Sequence, residues 1–538
     1  MNAIAARLGE VGLPMPVAEL AARRWDAVVV GGGHNGLTAA ASLARAGWSV
    51  LVLERRERLG GACTLERPFP DDRYQVSPCA YVVGLLDEVV IRELDLRRRG
   101  YQCYVADPNL WVPFEDGTSF GQWLDDARTQ RGLEELGVSR KDIDGYWGYE
   151  HVFDEIRRRL RTGARDVWQG ASPTREEVEE LLRGEQLMLD IVFEASIAEV
   201  LDDFMDDQRL KDALFGQGVI AAYGGPKDPG TASIKLMHFQ GDLEGQGPVW
   251  GYVKGGMGMV SFAIADAAQE AGAVLACGVP VAEIRPGEGV TLEDGTAIAA
   301  GVVVCNADPK RALSMLDAGA ADVPAGYRER LEAWKVRSPV VKFNAALSAL
   351  PEWTAAPGER WPAQATIDVT GGLEDAQACF EACDRGEPAV GFGEIYIQTG
   401  YDATPAPAGR HLLSVFGQYA PYELASGTWD ERREEVARQF IDLIARFSPG
   451  FEDRLEAYEV LGPPDIEARV GLTGGNIFQG EVTPDQMWAH RLTPRTPVDG
   501  LYLCGAATHP GGSVIALNGR NAAEAVLQDA REPAGVTS

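Results

Sequence analysis

Cysteine and histidine, which define several classes of protein, are scarce in this chain. It has 8 cysteines among 538 residues. No two of them form a C-x-x-C pair, so neither a disulfide framework nor a redox-active disulfide is indicated. With 6 histidines, no H-E-x-x-H and no paired Cys/His spacing, no metal site is predicted. Scattered cysteines are typical of a reduced compartment, so a cytoplasmic location is expected.

Positive charge and long apolar runs are scarce as well. The chain has 50 Lys and Arg against 80 Asp and Glu, a net charge of −30. So acidic a surface repels phosphates and anionic bilayers, which excludes nucleic acid as a partner. No apolar run approaches about 18 residues, so no transmembrane segment is predicted. Residues 1–24 lack the apolar stretch of a secretory signal and are predicted to be a helical or irregular extension.

The first informative stretch lies just after this extension. Residues 27–30 read as a buried strand, and the glycine-rich 31–36 segment that follows has the pattern G-x-G-x-x-G. Small apolar residues at helical spacing come next. A second strand over 49–53 ends in Glu54. This order of strand, glycines, helix, strand and acid is the pattern of a dinucleotide-binding unit.

Each residue of that unit has a physical reason to be there. Gly31 permits the tight turn, Gly33 lets the backbone approach a pyrophosphate, and Gly36 allows close packing of helix on strand. The start of the helix offers free N–H groups to phosphates. Glu54 can accept hydrogen bonds from ribose hydroxyls, and its charge would repel a 2′-phosphate, which disfavours NADP.

A second glycine-rich element near the C-terminus favours FAD over NAD. A strand is predicted to end at Gly505, and Gly511, Gly512 and a helix start near Asn518 follow. A plain NAD dehydrogenase does not need this element. A flavoprotein must hold the ribityl chain and the isoalloxazine ring in addition to the ADP half.

On these motifs the chain resembles the FAD-dependent oxidoreductases of the phytoene desaturase type, especially the branch with carotenoid ketolases, retinol saturases and PYROXD-type oxidoreductases. The resemblance covers nearly the whole chain. It implies an α/β fold in which a glutathione-reductase-like, FAD-binding Rossmann domain is interleaved with an α+β substrate domain. The matching stretches are 28–61, 255–258, 302–309, the Gly-Gly-Asn-Ile-Phe of 474–478, and 501–523.

The domain division follows from this resemblance and from the strand pattern of its middle part. Strands are predicted at 274–276, 281–284 and 302–305, with a hairpin at Asp294-Gly295 between them. A tail is expected at 531–538. The FAD-binding domain is predicted over 25–105, 245–312 and 460–530, and the substrate domain over 106–244 and 313–459.

The resemblance also implies roles for individual residues. Glycines are expected at Ser513 and Ala516, so the sequence departs from the family there, close to the expected flavin edge. The implied FAD-binding residues are Gly31, Gly33 and Gly36 at the pyrophosphate, Glu54 at the ribose with Arg55 beside it in the chain, Val281 at adenine, Gly60, Gly61 and Ala62 beside the flavin, and Gly505, Ser513 and Val514 along the pyrophosphate and flavin, with Gly512 beside them in the chain.

One residue is a candidate for catalysis beside the flavin. His509 lies in the loop expected at the flavin edge and could act as acid or base. The alternative is that it hydrogen-bonds to backbone and shapes its turn. There is no second G-x-G-x-x-G for a nicotinamide, so reduced flavin is expected to be reoxidised by oxygen, a quinone or another acceptor.

The leading hypothesis is therefore an FAD-dependent oxidoreductase that desaturates or dehydrogenates an apolar, isoprenoid-type substrate by hydride transfer to flavin N5. The first alternative is an FAD oxidase of a smaller polar metabolite or amine, which a closed polar pocket near Ser513 would favour. The second alternative is a non-catalytic, flavin-binding partner protein. The sequence leaves peripheral membrane contact and the oligomeric state open.

Overall fold

The computed structural model describes residues 3–161 and 165–531. Of the predicted tail, all but Arg531 lies outside the described residues. The strands are β1 (Trp25–Val30), β2 (Val50–Glu54), β3 (Cys103–Val105), β4 (Leu110–Pro113), β5 (Ser119–Gln122), β6 (Gly251–Val253), β7 (Val274–Cys277), β8 (Val281–Arg285), β9 (Gly289–Leu292), β10 (Ala297–Cys305), β11 (Val340–Leu347), β12 (Ile367–Thr370), β13 (Phe392–Tyr396), β14 (His411–Gln418), β15 (Leu455–Leu461) and β16 (Leu501–Leu503).

Helices connect and cover these strands. They are α1 (Ala3–Ala6), α2 (Val17–Ala21), α3 (His34–Arg45), α4 (Glu88–Glu93), α5 (Asp126–Glu135), α6 (Arg140–Arg161), α7 (Arg175–Leu181), α8 (Gln186–Phe193), α9 (Ile197–Phe204), α10 (Gln208–Leu214), α11 (Ala232–His238), α12 (Gly258–Glu270), α13 (Pro309–Ala318), α14 (Ala325–Glu332), α15 (Leu373–Asp384), α16 (Trp429–Phe447), α17 (Pro463–Val470) and α18 (Leu517–Asp529). Within the described ranges, no helix combines the length and apolar character needed to cross a bilayer.

The first sheet has seven strands and carries the predicted dinucleotide-binding unit. Its order is β7-β2-β1-β10-β9-β8, with β16 also paired to β10. The pairs β1–β2, β1–β10, β2–β7 and β10–β16 are parallel. Both β1 and β2 are apolar runs buried on both faces, as parallel strands covered by helices require. The predicted α/β class with a Rossmann-like domain is confirmed.

One strand prediction in this sheet needs correction. The segment 297–298, which follows the predicted hairpin turn at Asp294-Gly295, and the predicted strand at 302–305 form one continuous strand, β10. Its first residues pair antiparallel with β9, and its later residues pair parallel with β1. The small residues Ala299, Ala300 and Gly301 have low strand propensity and suggested a break. Pairing on both edges outweighs that local preference.

The second sheet also has seven strands, in the order β15-β11-β14-β13-β12-β4-β5. Neighbours from β15 to β12 run antiparallel. One face is apolar and packs against α16, where the rings of Phe343 and Phe440 stack with centroids 5.4 Å apart. Thr428 and Glu431 form a capping box at the start of α16. The opposite face is also buried, but it carries polar and charged side chains among its apolar ones, including Lys342, Asn344, Asp368 and Glu394.

Candidate cofactor and active site

A cavity of about 450 Å³ opens where β1 and β2 end. Its volume lies within the usual range for small-molecule and cofactor sites, roughly 300–1,000 Å³. It is lined by residues from segments that are far apart in the chain. The predicted FAD-binding residues on its wall are Gly31, Gly33, Glu54, Arg55, Gly60, Gly61, Ala62 and Val281.

The glycine loop at this cavity leaves no room for side chains. A Cβ on Gly36 would lie 2.2 Å from the carbonyl oxygen of Gly31, and one on Gly33 would lie 2.8 Å from the Asn306 side-chain nitrogen. Gly31 has φ of +100°, where glycine is favoured. Gly33 precedes α3 and has no side chain to cap its N–H groups. The loop therefore fits a group that needs close backbone approach and free N–H donors, as a pyrophosphate does.

Glu54 lines the cavity and also accepts a hydrogen bond from the glycine loop. Its side chain is buried, with Oε2 accepting the Gly32 N–H at 2.8 Å and Oε1 accepting the Arg56 N–H at 2.9 Å. A carboxylate has about four acceptor sites, so two remain for ribose hydroxyls. Arg55 and Arg311 also line the cavity. Burial, and next the neighbouring Arg311 guanidinium, lower the pKa of Arg55. Two guanidinium groups here suit a ligand that carries phosphates.

The second predicted element, 505–516, passes close to this cavity. Ala506 and Gln479 line it, and a Cβ on Gly505 would lie 2.2 Å from Gln479 Oε1. Ser513, Val514 and Ala516 have φ of +69°, +56° and +64°. Where the family resemblance led us to expect glycine, the backbone thus keeps a conformation that glycine prefers. The departure at Ser513 and Ala516 lies in the side chain and not in the path of the chain.

Ser513 contacts a histidine that the sequence could not place. His238 Nδ1 lies 3.0 Å from the Ile234 carbonyl oxygen and donates to it. Burial lowers the pKa of His238 to about 4, so the ring is neutral at pH 7. The other nitrogen, Nε2, is then an acceptor for the Ser513 hydroxyl at 3.2 Å. This contact joins the flavin-edge loop to α11.

His238 lies in a closed and mostly polar environment. Its ring centroid is 5.7 Å from that of Trp250 and 5.9 Å from that of Phe478. The ring also borders a cavity of about 30 Å³, roughly the volume of one water molecule in the liquid. The polar residues around this cavity are Asn109, Gln122, Gln217, Lys235, His238 and Trp250.

The structure gives His509 a structural role. The side chain is 2% exposed, and Nε2 donates to the Val167 carbonyl oxygen at 2.6 Å. Burial lowers the pKa of His509 to about 4. A ring held in this way anchors the flavin-edge loop to residue 167. The geometry therefore favours the alternative that we set against catalysis.

This role predicts how pH acts on a His509→Gln variant. The folded pKa is about 4 and the ordinary value 6.5, so His509 contributes stability above pH 6.5 that is lost as pH falls towards 4. From pH 7.5 to 5.3, wild type should lose about 1 to 2 kcal/mol of unfolding free energy relative to the variant. Thermal midpoints across this range test it, with the exposed His151→Gln as control. A constant difference between wild type and variant would contradict the assignment.

The polar face of the second sheet was not predicted. Strand registers place Lys342 opposite Phe416, Phe416 opposite Glu394, and Glu394 opposite Asp368. These four side chains form one row across β11, β14, β13 and β12, and each is at most 2% exposed. The sequence does contain one signal for this face. Successive side chains in a strand point to opposite faces, so each of these charged residues lies on the face opposite to that of its two chain neighbours.

The row is tied into a hydrogen-bond network. Glu394 accepts from Tyr396 at 2.8 Å, from Gln217 at 2.9 Å and from Tyr81 at 3.3 Å. The Lys342 ammonium donates to Ser414 at 2.8 Å and lies 3.7 Å from the centre of the Tyr81 ring. Ala80, next to Tyr81, donates its N–H to the Ala62 carbonyl oxygen. Ala62 lines the large cavity, so this contact joins the polar face to the candidate cofactor site.

Comparison with known proteins gives two family matches. A model described as a NAD(P)-binding Rossmann-like domain matches residues 29–84. A model described as flavin containing amine oxidoreductase matches residues 152–527, which is more than half of the chain.

Individual relatives match along most of their length. The mouse pyridine nucleotide-disulfide oxidoreductase domain-containing protein 2 is 34% identical, covering 94% of both chains. The hydroxyneurosporene desaturase of Cereibacter sphaeroides is 28% identical over 93% of this chain and 97% of its own. The structure of cyclohexylamine oxidase from Brevibacterium oxydans superposes with a TM-score of 0.57 and 17% identity, covering 95% of this chain and 100% of that one.

Proposed function

The chain belongs to the family of flavin-containing amine oxidoreductases, and on that premise we propose that it dehydrogenates a substrate with an apolar, isoprenoid-type body. It is an FAD-dependent oxidoreductase of the phytoene desaturase-like type, as the sequence motifs predicted. The observation that carries the proposed substrate is the similarity to the hydroxyneurosporene desaturase of Cereibacter sphaeroides, which extends over 93% of this chain.

We propose that FAD occupies the large cavity with the roles expected from the sequence. Gly31, Gly33 and Gly36 would hold the pyrophosphate, because Gly36 has no room for a Cβ and Gly31 has a φ that favours glycine. Glu54 would hold the ribose, with Arg55 beside it in the chain, and Val281 the adenine. When bound, FAD supplies the acceptor for a hydride from a substrate carbon. The remaining proposed FAD-binding residues are Gly60, Gly61, Ala62, Gly505, Gly512, Ser513 and Val514.

The chain's own residues would orient the substrate and keep the site dry. The hydroxyl of Ser513 is committed to His238, and both lie among buried residues. Exclusion of water protects a reduced cofactor and strengthens nearby electrostatic interactions. Because the sequence has no second G-x-G-x-x-G, we propose reoxidation by oxygen, a quinone or another acceptor.

A second candidate is an oxidase of a smaller polar metabolite or amine. It is favoured by the closed polar cavity beside His238 and by the buried charges of the second sheet. Those features provide hydrogen-bond partners that a purely apolar substrate would leave unsatisfied.

Anaerobic flavin bleaching separates the two candidates. The holoenzyme would be mixed with a long-chain isoprenoid alcohol, a carotenoid precursor in detergent, benzylamine or putrescine, and flavin absorbance followed. We expect bleaching with an isoprenoid and none with the amines. Bleaching by amines alone would favour the second candidate. Bleaching by none, in protein that dithionite reduces fully, would favour a non-catalytic flavin-binding protein.

We also propose two interleaved domains, FAD-binding over 25–105, 245–312 and 460–530, and substrate-binding over 106–244 and 313–459. The support is that every strand of the first sheet comes from the former set. A cytoplasmic location is proposed from the eight cysteines, all of which are free thiols in the described chain.

A further inference from the structure

Asp368 and Glu394 form a buried pair of like charges. They are directly opposite each other on β12 and β13, and they are 2% and 1% exposed. Like charges at opposed positions destabilise a sheet, and two buried carboxylates this close do not both ionise at neutral pH. The fold keeps them where apolar residues would be the simpler choice.

The two carboxyl groups have different surroundings. Glu394 accepts hydrogen bonds from Tyr396, Tyr81 and Gln217, which favour its charged form. Among the described residues, neither oxygen of Asp368 has a hydrogen-bond partner. A fully buried carboxyl group without a partner is costly unless it carries a proton or meets a ligand.

The surroundings of the pair favour one proton held between the two carboxyl groups. Burial, and next the Glu394 carboxylate, raise the pKa of Asp368 well above its usual range. Burial also raises the pKa of Glu394. The titratable groups facing the pair are Tyr81, Tyr396 and Lys342. Burial lowers the pKa of Lys342 to about 7, and Cys79, Glu394 and Glu459 act against that shift.

We propose that Asp368 and Glu394 share one proton and form the proton-accepting site for the dehydrogenation. This inference rests on the proposed function. Bound FAD would supply the acceptor for the hydride that leaves when one substrate C–H bond breaks. A bond to hydrogen on the adjoining atom breaks, and its proton passes to a carboxylate oxygen of the pair. The electron pair left behind forms the new double bond, so atoms and charges balance.

The position of the pair supports this role. Tyr81 connects Glu394, through its neighbour Ala80, to Ala62 on the wall of the cofactor cavity. Gln217, which donates to Glu394 at 2.9 Å, also lines the small cavity beside His238, so one side chain separates the pair from that cavity. A pair with one shared proton can both donate and accept, whereas a lone carboxylate can only accept.

The shared proton can be tested without any substrate. Infrared spectra of the holoenzyme, labelled with ¹³C-carboxyl aspartate, should contain a C=O stretch of a protonated buried carboxyl group that shifts in D₂O. Dithionite reduction of the flavin should shift the same band. We expect the band to be lost in Asp368→Asn and kept in Asp142→Asn, which removes a less deeply buried carboxyl group that has partners in Ser139 and the Asp206 N–H.

Reactivity provides the second test. With whichever probe bleaches the wild-type flavin, Asp368→Asn and Glu394→Gln should slow bleaching at least about 100-fold, while probe binding changes little. If the labelled band is missing in wild type, Asp368 carries no proton and the proposal of a shared proton is wrong. If the band is present but both variants bleach within threefold of wild type, the pair is only structural. If no probe bleaches the wild-type flavin, the proposed function is contradicted. The infrared experiment alone then shows whether the pair holds a proton.

Discussion

Replacing Gly36 with alanine is expected to abolish retention of FAD. The added Cβ would lie 2.2 Å from the carbonyl oxygen of Gly31, and both atoms belong to backbone that β1 and α3 hold in place. The loop must shift by more than 1 Å, roughly, to relieve such an overlap, and cofactor sites lose most of their affinity at that scale. We expect FAD affinity to fall at least about 100-fold, or about 2.7 kcal/mol.

Flavin absorbance per mole of purified protein, followed by FAD titration of the apoprotein, measures this effect. Gly132→Ala is the matched control. Gly132 lies inside α5, and an added Cβ would meet no atom of the described chain within 4 Å. The control should bind FAD as wild type does. Normal FAD retention by the Gly36→Ala protein would show that the cofactor phosphates bind elsewhere.

Replacing Arg491 with methionine should cause the largest loss of stability. The guanidinium is fully buried. It donates to the carbonyl oxygens of Glu481 at 2.6 Å, Gln486 at 3.4 Å, Phe478 at 2.8 Å and Ala506 at 2.5 Å. Methionine would leave these acceptors buried without donors. We expect the unfolding free energy to fall by about 3 to 5 kcal/mol.

Thermal and denaturant unfolding of the holoenzyme would measure that loss. Arg491→Lys should fall between wild type and Arg491→Met, because lysine keeps the charge but not the planar set of donors. Arg140→Met removes a guanidinium that is 76% exposed and should change stability by no more than about 0.5 kcal/mol. If Arg491→Met lowers the unfolding free energy by less than about 1 kcal/mol, the backbone segments that accept these hydrogen bonds do not depend on the buried guanidinium.

The cofactor side of the molecule could be predicted because its signals are local. The glycines from Gly31 to Gly36, the strand before them and Glu54 lie within 30 residues of each other along the chain. Their spacing alone specifies a turn, a helix start and an acceptor. The continuity of β10 through residues 299–301 could not be predicted in the same way, because it depends on pairing with β1 and β9.

The substrate side could not be predicted because its contacts are non-local. Lys342, Glu394 and Asp368 form a row only after four strands have paired in register, and a shift of one residue would turn each side chain to the apolar face. Likewise, 275 residues separate His238 from Ser513. Nothing in the sequence around either residue indicates their contact, which is why His509 was the more visible candidate.

The parallel pairing of β1, β10 and β16 has a consequence for synthesis of the protein. β1 leaves the ribosome early, but its partner β10 ends at Cys305 and β16 ends at Leu503. The carbonyl oxygen of Asn35 would lie 2.0 Å from a Cβ at Gly519, so α3 also reaches its final packing against α18 only after α18 has been made. The nascent chain must therefore leave the first sheet unfinished until β16 has been made. We expect FAD to be captured only after β16 and α18 have emerged, by a chain whose second sheet has already begun to fold.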